Sequence, residues 1–209
     1  MTEYREADYA AAYLAIQDTI PQREMGERLL LDFLPAQFLP AQTGRVLDLG
    51  CGDGRLLALV QTRFPDVEGV LLDHSPTMLE AARGRDWKGR PPQMLAHDLN
   101  EPLPPLGTFD AVVSGFAIHH LPDGRKKALY AELLALLRPG GVLLNLEHVS
   151  GVNEAEHRRF LDLLGGGEDA SNQLAPAWAQ AEWLKAAGFA EADVVWKWLE
   201  LALIVGWAS

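Results

Sequence analysis

Val46-Leu47-Asp48-Leu49-Gly50-Cys51-Gly52-Asp53-Gly54-Arg55 reads as a buried strand that breaks into a tight glycine loop and then opens a helix. Glycines at 50, 52 and 54 let the backbone turn sharply and let a ligand approach where a Cβ would otherwise stand. The free N–H groups at the start of the following helix can receive the anionic end of a ligand. Working outward, short apolar runs alternate with amphipathic stretches. The runs are 46–49, 67–73, 94–97, 109–114 and 141–147, with helical segments near 54–64, 75–84 and 123–137 between them. That alternation predicts β-α-β units and a mainly parallel sheet. The third of these helices buries Leu129, Leu133, Leu136 and Leu137 and is stopped by Arg138-Pro139-Gly140-Gly141.

The flanks are less regular. Tyr9, Tyr13, Ile16 and Ile20 fall on one face of a helix over about residues 6–20. A second helix after Pro21 presents Met25, Leu29, Leu30, Phe33 and Leu34 and ends at Pro35. Residues 152–164 and 176–187 read as further helices around the Gly165-Gly166-Gly167 loop. The runs 194–198 and 199–205 leave no room for a crossover helix between them, so they must pair antiparallel.

Composition narrows the function classes. The chain has 209 residues, 48% hydrophobic and 22% charged, which suits one soluble core. It has 29 acids against 18 bases, a net charge of −11, so a partner held mainly through phosphates, nucleic acid above all, is disfavoured. Arg83, Arg85, Lys88 and Arg90 form a small basic patch, read as a solvated helix end. Cys51 is the single cysteine, so no internal disulfide forms and a cytoplasmic setting is expected. The polar opening Met1-Thr2-Glu3-Tyr4-Arg5-Glu6 does not resemble a signal peptide, and no apolar run approaches the roughly 20 residues of a membrane helix. The histidines show no zinc-ligand spacing, so no metal site is expected.

The loop also discriminates between ligands. Asp73 closes the second strand, where an acid can accept hydrogen bonds from ribose hydroxyls, so the ligand is of nucleoside type. A dinucleotide fingerprint G-x-G-x-x-G fails, because Arg55 stands at its sixth position and the third glycine comes early, at Gly54. Asp48 and Asp53 would repel a pyrophosphate but attract a cation. S-adenosylmethionine, with a sulfonium, an ammonium and no phosphate, fits better than NAD.

At this point the chain resembles the class I S-adenosylmethionine-dependent methyltransferases, over about residues 44–149 and the terminal hairpin. The E/D-x-G-x-G-x-G signature matches Asp48 to Gly54, and Asp73 with Ser75-Pro76-Thr77-Met78-Leu79 is similar to D-x-S-x-x-M-L. Asp98 matches the acid after the third strand, and Phe109-Asp110 through Ser114 to His119-His120-Leu121 is similar to F-D-x-V-x-S-x-x-A-L-H-H-L. Leu137-Arg138-Pro139-Gly140-Gly141 matches L-(R/K)-P-G-G. The resemblance implies an α/β, Rossmann-like, doubly wound seven-stranded sheet, mostly parallel with an antiparallel last strand, plus N-terminal helices. It implies S-adenosylmethionine as cofactor and S-adenosylhomocysteine as product. The backbone around Gly50, Cys51 and Gly52 would meet the methionine part, Asp73 the ribose, and Asp98 the adenine amino group. His74, Met78 and Leu99 would flank the base, Asp48 and Asp53 would face the cationic side, and Ser114 would lie nearby. Tyr4, Tyr13 and Arg23 would come from an N-terminal helix that covers the cofactor.

One domain is therefore expected: a cap over residues 1–43, a cofactor-binding core over 44–149 and 190–207, and a helical insertion over 150–189 that shapes the acceptor site. His119, at the mouth of the fourth strand, is the candidate general base, with Glu147 as a second candidate. Tyr9, Tyr13 and Trp178 are candidates for an acceptor pocket, beside Phe116. The expected activity is methyl transfer to a small-molecule acceptor. The alternatives are a tRNA-modification role, including carboxy-S-adenosylmethionine synthesis, and a non-catalytic module that binds the same ligand.

Overall fold

In the computed structural model, residues 7–34, 44–167 and 169–209 are described. The strands are β1 (Arg45–Leu49), β2 (Glu68–Asp73), β3 (Gln93–Ala96), β4 (Phe109–Gly115), β5 (Leu137–His148), β6 (Glu191–Trp198) and β7 (Leu201–Trp207). The α-helices are α1 (Ala7–Ile16), α2 (Arg23–Asp32), α3 (Arg55–Arg63), α4 (Pro76–Arg83), α5 (Asp123–Leu136), α6 (Glu154–Leu164) and α7 (Ala177–Ala187).

The strands form one sheet in the order β3-β2-β1-β4-β5-β7-β6. β1 pairs parallel with β2 and β4, and β7 runs antiparallel to both β5 and β6. The order reverses between β1 and β4, so a crevice opens at the carboxyl ends of those strands, where open α/β sheets take their ligands. Alternation along each strand divides the core. Val46, Leu71, Val113 and Leu144 face a layer with Leu57, Val60 and Leu79, while Leu47, Leu72, Val112 and Leu143 face Tyr130, Leu133 and Leu184. Both faces are covered, which is why the central strands read as nearly continuous apolar runs.

Several boundaries and faces differ from the sequence reading. The first helix stops at Ile16 and tightens into a 3-10 turn over Gln17–Thr19, and Ile16 is 57% exposed. Met25 is also exposed, because α2 turns Arg23, Gly26, Glu27 and Leu30 inward instead. A Cβ on Gly26 would come within 2.5 Å of Leu146 Cδ1, so the absence of a side chain there lets α2 lie against β5. The predicted stop at Pro35 lies outside the described residues. β5 starts at Leu137 rather than 141, because Leu137 already pairs with Phe109 before a register shift carries the strand on to Val142. Of the terminal strands, β6 starts three residues earlier than expected and β7 is shifted by two, because Leu199 and Glu200 form the turn between them, with Leu199 at φ 49°.

Candidate functional site

The glycine loop joins β1 to α3 at the switch point. Gly50 (φ 63°) and Gly52 (φ 53°) both take left-handed backbone, which glycine adopts without steric cost. They use it differently. A Cβ on Gly50 would lie 2.3 Å from Ala117 Cβ, so this glycine lets the loop close against the end of β4. A Cβ on Gly52 would meet only Met78 Sδ at 3.8 Å, so this glycine borders open space.

That space is a partly open pocket at the carboxyl ends of β1 and β4. Tyr13, Asp48, Gly50, Cys51, Gly52, Asp53, Asp73, His74, Met78 and Leu99 line it together. These residues come from a cap helix, the glycine loop, the end of β2, the first turn of α4 and the segment after β3. Ser75 caps α4 by accepting from Met78 N at 3.3 Å, with Pro76 at the first helical position, and this sets Met78 against the loop.

The acids organise the loop as well as line it. Asp73 accepts from Gly52 N at 2.8 Å through Oδ2 and from Ser75 N at 2.8 Å through Oδ1. Asp48 accepts from Leu57 N at 3.0 Å and so ties β1 to α3. Burial pushes the Asp48 carboxyl up to about 8, against the Leu57 hydrogen bond and with help from Asp53 and Asp73. Burial also raises Asp73, opposed by its bonds to Ser75 and Gly52. The Cys51 thiol is pushed well above its ordinary value by burial and then by Asp48 and Asp73, which leaves it a packed thiol rather than a nucleophile.

Asp53, expected to face the cationic side of the ligand, already has a cationic partner within the chain. Its carboxylate is held by Arg85, and Gln17 Nε2 donates to the same oxygen at 3.2 Å. The rest of the basic patch is solvent-exposed, as expected, and forms surface pairs: Arg83 with Glu80, Lys88 with Asp86, and Arg90 with Glu68.

Three expected site residues stand apart from the cavity lining. Ser114 is fully buried and donates to Leu49 O at 2.9 Å, so its hydroxyl joins β4 to β1. Asp98 turns back to accept from Asn100 N and Nδ2 at 3.0 and 2.9 Å. The His119 side chain is 5% exposed, with Nδ1 2.5 Å from Glu147 Oε1, and its N–H donates to Glu147 Oε2 at 2.9 Å. His120 lines the cavity in its place, and burial, then His119, lowers its ring to about 3, so it stays neutral. Trp178 is 59% exposed on α7 and is not part of the cavity wall. Tyr4 and the Tyr9 side chain lie outside the described residues.

The wall also contains residues that the motifs did not point to, notably Gln17, Arg55 and Leu56. Arg55 bridges to Glu27 and Asp18 and pins the cap over the loop. Arg23, named only through the resemblance, also lines the cavity and lies over the Phe116 ring at 5.1 Å. Phe116 itself is held at φ 55°, which no residue pattern announces.

A doubly wound sheet with a reversed terminal strand, and an acid-rich glycine loop at its switch point, define a Rossmann-like nucleoside-binding protein. A family model described as a methyltransferase domain matches residues 46–141. The chain is 31% identical over 195 residues to a trans-aconitate 2-methyltransferase of Methylobacterium nodulans, covering 92% of this chain and 67% of that protein. It belongs to the class I S-adenosylmethionine-dependent methyltransferases. A trans-aconitate 2-methyltransferase of Methylobacterium radiotolerans is 35% identical over 132 residues, covering 62% of this chain and 47% of that protein. The chain thus spans about half the length of this second relative and two thirds of the first. Among solved structures, an O-methyltransferase family protein from Burkholderia thailandensis superposes with a TM-score of 0.73 at 22% identity, covering 97% of this chain and 59% of that one.

Proposed function

We propose that this chain transfers a methyl group from S-adenosylmethionine to a small-molecule acceptor in the cytoplasm. The observation that carries the reading is the open face of Gly52 beside three acids, Asp48, Asp53 and Asp73, on one cavity. The residues suit this ligand. Gly52 leaves room where a Cβ would stand, and Asp73 sits at the end of β2, where folds of this kind bind a ribose. Gly50, Cys51 and Gly52 would border the methionine part, His74, Met78 and Leu99 the adenine, and Tyr13 from α1 would cover it. Asp98 would reach the adenine amino group from the rim by giving up its turn with Asn100.

The sulfonium supplies an activated methyl group with a good leaving group, so the protein's task is alignment and exclusion of water. Asp48 and Asp73 shape the loop, and the cap of α1 and α2 closes over it through Arg55. Because the chain has a net charge of −11 and its surface basic patch is paired with acids, a small molecule suits it better than tRNA.

Calorimetry tests the reading. S-adenosylmethionine and S-adenosylhomocysteine should bind with micromolar affinity, and Gly52→Arg or Asp73→Ala should abolish binding. Absence of binding at millimolar ligand would refute it.

A further inference from the structure

The carboxyl end of β5 carries a group of ionisable side chains that the cofactor cavity does not use. His148, the last residue of β5, places Nδ1 3.3 Å from Glu200 Oε1, with side-chain exposures of 20% and 16%. Behind it, Glu147 is fully buried and accepts three bonds: from the His119 ring at 2.5 Å, from His119 N at 2.9 Å and from His148 N at 2.9 Å. The two imidazoles meet edge to face, with centroids 5.2 Å apart. Two carboxylate–histidine pairs therefore touch, one sealed in the core and one partly open. Among the described residues, no group of three such side chains is placed to hold a metal ion.

Phe116 links this group to the cavity. Its ring lies 5.0 Å from the His148 ring, and Phe116 also lines the cofactor cavity. A phenylalanine at φ 55° is strained, and such strain persists where the surroundings hold the residue in place. Here a backbone bond from Phe116 N to Leu146 O at 2.9 Å and the Arg23 guanidinium over the ring do so. The strained residue thus borders both the methyl-donor cavity and His148.

We propose that His148, oriented by Glu200, is the base that deprotonates the methyl acceptor, and that the acceptor is an uncharged hydroxyl compound. This rests on the methyltransferase reading above. Glu200 occupies Nδ1, which leaves Nε2 as the ring atom able to accept a proton. The acceptor O–H gives its proton to Nε2, the oxygen lone pair forms the bond to the methyl carbon, and the carbon–sulfur pair returns to sulfur. The imidazolium formed is stabilised by Glu200 and passes its proton to water.

The hydroxyl assignment follows from what a base is needed for. A carboxylate acceptor is already ionised, and a neutral amine is already nucleophilic, whereas a hydroxyl gains from proton removal. Glu200, partly open beside His148, also repels an acceptor that carries several carboxylates, a chemistry named for the trans-aconitate relatives. His119 sits behind His148 and with Glu147 acts as a positioning pair. The groups that face His148 are Glu200 from the β6–β7 turn, His119 from the 3-10 turn Ile118–His120 and Glu147 from its own strand. His157 of α6 acts on it through Glu200.

Labelled S-adenosylmethionine, offered with a set of phenols and alcohols and with their carboxylate counterparts including trans-aconitate, tests this. Methyl transfer should reach the hydroxyl set alone. His148→Gln should lose about 100-fold or more in kcat and the acid limb of the pH profile, with S-adenosylmethionine affinity and thermal midpoint unchanged. Glu200→Gln should lower kcat less and leave KM near the wild-type value. Transfer to the carboxylates, no transfer to either set while S-adenosylmethionine binds, or a His148→Gln enzyme with unchanged kcat and pH profile would each overturn the inference. Failure of S-adenosylmethionine to bind at all would instead overturn the proposed function, and this inference with it.

Discussion

Glu27 and Arg55 form a two-bonded ion pair between the cap and the glycine-loop helix, with Nε to Oε1 at 2.6 Å and Nη2 to Oε2 at 3.1 Å. The same Glu27 oxygen accepts from Arg23 Nε at 2.6 Å, and Arg55 reaches on to Asp18 at 2.5 Å. One carboxylate, 5% exposed, thus bridges two guanidiniums where the cap meets the cavity. Its removal matters more than its Coulomb energy suggests, because Arg23 is 7% exposed and would be left buried without its counter-ion.

Glu27→Ala should therefore destabilise the protein by about 3–5 kcal/mol. Asp32→Asn, which removes an exposed partner of Arg63, should cost less than about 1 kcal/mol. Urea unfolding of both variants checks the contrast. Equal losses would mean that the cap pair is as well solvated as the surface pair.

Gly50→Ala combines two separable penalties. The left-handed backbone costs a non-glycine residue about 1–2 kcal/mol, and the new Cβ would overlap Ala117 Cβ at 2.3 Å, which adds roughly 1–3 kcal/mol. Adding Ala117→Gly removes the overlap but not the backbone strain. The double variant should regain about half of the lost stability in thermal unfolding, and full recovery would show that the φ angle carries no cost.

How far such features can be read in advance depends on their range. The motif from Val46 to Arg55 is local, since an apolar run, three glycines and a helix start lie in one stretch of chain, and so the loop and its acids were legible. The antiparallel terminal hairpin was legible for the same reason, because too few residues separate its strands. The cap was misread where polar pairing across distant elements overrides periodicity: Met25 faces outward because Arg23 and Glu27 take the inward positions of α2, and Ile16 is exposed where α1 tightens into the turn that buries Gln17. The partners of Asp53 went unread because Arg85 and Gln17 lie more than thirty positions away. The motif named His119, whereas His148 meets Glu200 only after β7 has folded back on β5. Phe116 has no sequence signal at all, since its strain comes from the surrounding packing.

Asp48 gives the pH-dependent prediction, and its sign can be worked through. Its ordinary value is 3.8 and its folded value about 8, so between these limits the native state holds more proton than the unfolded state. Stability contributed by the protonated carboxyl is full below about pH 4 and is lost as pH rises toward 8. Asp48→Asn removes the penalty while its amide oxygen can still accept from Leu57 N. The variant should exceed wild type by on the order of 2–4 kcal/mol at pH 8 and match it at pH 4. A cationic ligand in the cavity pulls the other way, because it favours the ionised carboxylate. Binding of S-adenosylmethionine to the wild type should then release a proton near pH 7 and tighten as pH rises toward 8. Calorimetry in buffers of different ionisation enthalpy measures that proton directly. Asp48→Asn should bind more weakly and release none, and equal release by the two proteins would place the titrating group elsewhere in the loop.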